Sequence, residues 1–88
     1  MASKVVYIKN GHPVILDIRA TFNTRSENFN PGAGFSLPKY GLWCPWGSEG
    51  IEEAKRRTTE KVRYPATCWT FLVEDEKRWL LAKIKYGI

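Results

Sequence analysis

Two cysteines, Cys44 and Cys68, and one histidine, His12, are the groups in this 88-residue chain best suited to nucleophilic or metal chemistry. A thiol nucleophile needs a base beside it, and a structural zinc site needs four ligands, usually drawn from closely spaced Cys and His pairs. Cys44 and Cys68 stand 24 positions apart without a Cys-x-x-Cys pair, so a zinc site would have to borrow carboxylates. His12 follows Asn10-Gly11 in what reads as a hairpin turn, where a solvated imidazole needs no catalytic role. The glycine-rich phosphate loops, the nucleophile elbow and the metalloprotease helix have no counterpart in the sequence. These residues predict no catalytic centre, no bound metal and no cofactor. Two cysteines in so small a domain fit a reducing compartment, with a Cys44 to Cys68 disulfide left as the alternative.

The second chemistry on offer is that of rings beside cations. With 14 Lys and Arg against 9 Asp and Glu, the chain carries a net charge of +5, and 14% of it is aromatic. Residues 77 to 88 hold Lys77, Arg78, Lys83 and Lys85 with no acid, a charge of +4, so nearly all of the surplus lies at that end. A hydrophobic fraction of 43% excludes a disordered chain. No apolar run approaches the ~18 residues of a membrane span, which predicts no membrane partner. Met1 to Lys9 lacks the charged-then-apolar plan of a signal peptide, so the mature chain is expected to begin at or near Met1 in the cytoplasm.

The elements that would position these groups read as a single α+β domain over residues 1–88. Asn10-Gly11 suits a two-residue turn, which makes Lys4 to Lys9 and His12 to Ala20 a β-hairpin with Pro13 at an edge or strand start. Its core face would carry Val5, Tyr7, Val14, Leu16 and Ile18. From Asn23 to Gly47 the pattern becomes a long aromatic loop, with Phe29, Phe35, Tyr40, Trp43 and Trp46 among turn residues. The cluster Asn30-Pro31-Gly32-Ala33-Gly34 within it reads as a turn, with a phosphate cradle as the minor alternative. Ser48 is expected to cap a helix that carries acids first and bases last and stops before Pro65. Ile51, Ala54, Thr58 and Val62 form its narrow apolar stripe. Ala66 to Tyr86 reads as a second hairpin turning at Asp75-Glu76, with Trp69, Phe71, Val73, Leu80, Ala82, Ile84 and Tyr86 on its core face, against a competing helix over Glu74 to Lys85.

The expected order is therefore ββαββ, two β-hairpins in a small antiparallel sheet with one helix on one face. The uncovered face would present Trp79, Leu72 and Leu81 beside Lys83 and Lys85, and the long loop, with Trp43, Trp46, Tyr40, Arg25 and Lys39, would either add to that surface or fold back over it as a second small core. Rings that stack on bases while lysines hold phosphates point to a non-enzymatic binder of single-stranded nucleic acid or a nucleotide. The alternative is a protein-docking module using the same Trp-rich surface, such as a homodimer, a small inhibitor or an adaptor of the kind viruses and mobile elements encode.

Overall fold

In the computed structural model, which describes residues 3–22 and 32–87, the chain runs β1 (Val5–Lys9), α1 (Pro13–Phe22), β2 (Gly34–Leu37), β3 (Leu42–Pro45), α2 (Gly47–Arg57), β4 (Cys68–Val73) and α3 (Glu76–Tyr86). The four strands form one antiparallel sheet in the order β1-β4-β3-β2. The α+β class and the four-stranded antiparallel sheet agree with the sequence reading. The ββαββ order and the single helix do not.

The first expected hairpin is replaced by a strand and a helix. Gly11 is not among the glycines with positive φ, so the two-residue turn that would return the chain along β1 is absent. His12 instead caps α1, its Nδ1 accepting the Val14 N–H at 3.2 Å. Pro13 opens the helix, where its missing N–H costs nothing and its fixed φ already suits the first turn. The helix buries Val14, Ile15 and Ile18 and leaves Leu16 exposed. β1 pairs with β4 from Val5↔Leu72 to Lys9↔Cys68.

The long loop hides the second pair of strands. Phe35 and Leu37 alternate with Gly34 and Ser36, and the pairs Phe35↔Cys44 and Leu37↔Leu42 join β2 to β3. Pro38 to Gly41 make the turn, with the Tyr40 N–H on the Leu37 carbonyl at 2.9 Å and Gly41 at a φ of +67°. Gly41 is required twice over. Its φ is one that L side chains rarely adopt, and a Cβ there would collide with the Asp75 carbonyl, where the chain passes close because the Gly41 carbonyl accepts the N–H groups of Glu74 and Asp75 at the start of α3.

α2 begins one residue before Ser48 and ends well before Pro65. Its N-cap is Trp46, which makes no side-chain cap bond. The helix stops at Thr58, whose backbone is extended and whose hydroxyl donates to the Ser3 carbonyl at 2.6 Å. Buried Gly50 and Ala54 face the sheet, while Ile51 stays 38% exposed.

The last segment takes the competing helix in place of a strand. Asp75 accepts the Arg78 N–H at 3.2 Å as N-cap, and Gly87 closes the helix in the left-handed conformation with its N–H on the Lys83 carbonyl. Both devices are ordinary helix punctuation. Alternate strand residues point to opposite sheet faces, and both faces are covered. Ile8, Leu42, Phe71 and Val73 lie under α1 and α3 in the larger core, and Trp43 and Leu72 lie under α2 in the smaller one. No helix of the described residues is long and apolar enough to cross a membrane.

Candidate functional site

The rings expected on an open sheet face are mostly inside. Trp79 points from α3 into the main core and keeps 7% of its surface exposed. Trp43 keeps 4%, with its indole against Gly34 and the Arg57 guanidinium 4.1 Å from the ring centroid. Arg57 also meets Glu53 and Glu74, each at 3.8 Å, so the basic run of α2 serves its own packing. Trp46 is half-buried and tilts against Phe35, their centroids 6.0 Å apart. Arg25, Phe29, Asn30 and Pro31 lie outside the described residues.

Four of the expected residues do come together. Lys39, Tyr40, Leu81 and Lys85 line a shallow cleft between the β2–β3 turn and α3, completed by Ala82 and Tyr86. Asp17 of α1 is its hub, accepting hydrogen bonds from the hydroxyls of Tyr40 and Tyr86 and an ion pair from Lys39 at 3.3 Å. The cleft of about 100 Å³ is too small for most ligands. The Tyr40 and Tyr86 hydroxyls and the Lys39 ammonium are spent on Asp17, and the Lys85 ammonium lies over the Tyr86 ring, which makes the cleft a clasp joining α1, α3 and the turn.

A second cleft, about 200 Å³, opens where β3 and β4 part. Their ladder ends at Trp43↔Leu72. The next inter-strand bonds in that register would fall to Pro45 opposite Thr70, and proline has no N–H to give. Trp46, Tyr64 and Trp69 line the gap with both cysteines. Cys44 and Cys68 are free thiols. Burial pushes the Cys44 thiol up to about 12, so at neutral pH it is a protonated, weakly reactive group. Burial also raises the Tyr64 phenol, with Tyr7 and Cys44 adding to the effect. The one imidazole is engaged in capping α1.

Comparison with known protein families, with curated proteins and with solved structures finds no match.

The geometry of α3 therefore carries the functional reading by itself. At 100° per residue, Trp79, Ala82 and Tyr86 share the inner side. Leu80, Leu81 and Ile84 share the outer side, where they are 54%, 66% and 72% exposed. Lys83 flanks this stripe on the β1 side, Lys85 flanks it on the side of Tyr40, and Lys77 stands at its N-terminal end. A helix apolar on both sides is unusual for one that covers a sheet, whose outer face is ordinarily polar. Between α3 and β1 lies a groove of about 500 Å³ reached by Lys4, Lys77 and Lys83. The sequence reading located Leu81, Lys83 and Lys85. It placed Leu80 and Ile84 in the core, where the structure leaves them exposed, and passed over Lys77; helical spacing applied to residues 76–86 would have found all three.

Proposed function

We propose that the chain is a non-enzymatic docking protein that uses the outer face of α3 to bind another protein. The observation that carries this reading is the contiguous exposed stripe Leu80, Leu81 and Ile84 with lysines on both flanks. Large side chains exposed together on a small protein mark a partner surface more often than isolated ones do. An amphipathic helix laid into a groove is a common way to use such a stripe. The lysines specify the partner, an apolar groove rimmed by acidic residues. A second copy of the chain fits less well, because a two-fold contact through this face would bring Lys77, Lys83 and Lys85 against their own copies at a cost.

Stacking on nucleic-acid bases has less support, since, of the three rings it relied on, Trp43 and Trp79 are buried and Trp46 alone is partly open. The lysines of the groove beside β1 still favour a small anionic ligand, and that site borders the stripe, sharing Leu80, Lys77 and Lys83 with it. Two free thiols suit a reducing location such as the cytoplasm.

The test is capture from lysate with the wild-type chain, L81D/I84D and K83E/K85E in parallel. The reading expects a partner held by the wild type, released by moderate salt, and lost on both variants. Retention of the same protein by all three chains, or the absence of any retained protein, would contradict it.

A further inference from the structure

We infer that the groove between β1 and α3 is a binding site for a small anionic amphiphile, an aliphatic chain with a carboxylate or phosphate head. Its volume of about 500 Å³ lies within the range of ~300–1,000 Å³ that small-molecule sites occupy. Val6, Val73, Trp79 and Leu80 supply the apolar lining. The indole N–H of Trp79 is the one polar group these four side chains carry. A nucleobase or sugar placed there would leave water without finding replacement hydrogen bonds, whereas a hydrocarbon chain loses nothing by the transfer.

The rim supplies the complementary charge. Lys4 approaches from the residue before β1, and Lys77 and Lys83 approach from α3. Among the described residues these three lysines make no ion pair, unlike Lys39, Lys55, Arg56, Arg57 and Arg78. Glu76 is the one acid of the rim, leaving a surplus of two positive charges. An extended peptide added to β1 is the competing occupant. The Val5 N–H already donates to the Glu60 carboxylate at 3.1 Å, so such a strand would have to displace that contact.

The experiment titrates dodecanoate, dodecyl phosphate and dodecyltrimethylammonium, all below their micelle concentrations, into the intact chain and follows binding by calorimetry and NMR shifts. At least one of the two anions is expected to bind saturably at one per chain, moving the resonances of Val6 and the Trp79 indole. The tighter of the two names the head group. The cationic amphiphile is expected not to bind, K4Q/K83Q to weaken the anion on the order of tenfold, and E76Q to tighten it. Circular dichroism checks that each variant is folded. L81Q/I84Q, which alters the docking stripe without changing its charge, should leave anion binding unchanged, which separates this site from the protein-docking face. Equal binding of the cation, failure of both anions, an unchanged affinity in K4Q/K83Q, or shifts at Leu81 and Ile84 instead of Val6 and Trp79 would overturn the assignment.

Discussion

Cys44 illustrates how burial decides the chemistry of a residue. Its side chain is packed into the main core at the point where β3 leaves β4, and its thiol rises from an ordinary 9.0 to about 12. Below pH ~9 the thiol is protonated in both the folded and the unfolded chain, and its full contribution to stability is present. As pH climbs from there toward ~12, the unfolded chain releases the proton and the folded one holds it. Stability attributable to this group should then fall by up to about 1.4 kcal/mol per pH unit. Urea midpoints of the wild type and Cys44→Ala measured between pH 8 and 11 check this, because the alkaline loss specific to the thiol disappears in the variant. Tyr40 makes a different kind of contribution. Its hydroxyl donates to Asp17, which also accepts from Tyr86 and Lys39. Tyr40→Phe removes one bond of the clasp and should cost about 1 kcal/mol in urea unfolding, the carboxylate being exposed enough for water to replace part of what is lost.

At the scale of elements, short signals outweighed propensity. Val14-Ile15 is composed like a strand, yet His12 and Pro13 at its N-terminal side made a helix of it, while α3, whose Glu, Lys, Arg, Leu and Ala already favour a helix, is bounded by Asp75 and Gly87. Asp75→Ala should therefore destabilise the chain by about 1 kcal/mol. Gly41→Ala should cost about 1–3 kcal/mol, because it strains a positive φ and meets the backbone that starts α3. Thermal and urea unfolding of the two variants test both values. The class of the fold, the strands β1 and β4 and most of α2 were legible in alternation and charge order. The β2–β3 hairpin was not, because four-residue strands among Pro and Gly leave little alternation to detect. Asn10-Gly11 misled because a turn signal specifies a reversal only when the next segment can pair with the previous one. Pro13, without an N–H, made that pairing poorer, and β4 offered β1 a ladder of five residue pairs. The candidate site followed the same rule. Leu81, Lys83 and Lys85 were located by type, but their arrangement depends on whether the period is 2 or 3.6. Trp79 changed from an exposed ring to a core residue with that one decision.

For the whole molecule, a sheet covered on both faces leaves its binding capacity on the outside of a helix. α1 and α3 cover one face and α2 the other. Among the described residues the outer side of α3 gathers three exposed large apolar side chains on one face, with the groove along β1 beside it, whereas Leu16, Tyr7, Ile51 and Tyr64 are exposed on other elements. A stripe that does not support the core can be altered without harm to the fold, so L81D/I84D should unfold within about 0.5 kcal/mol of the wild type in urea. A larger loss would assign the stripe a structural task instead. The docking face itself is tested most directly by methyl NMR of the chain alone and in complex with its captured partner. Docking through α3 predicts that the methyl resonances of Leu80, Leu81 and Ile84 shift on binding while those of buried Leu37 and Leu72 stay in place. Unmoved α3 methyls, with shifts confined to the aromatic cleft around Trp46, Tyr64 and Trp69, would contradict it.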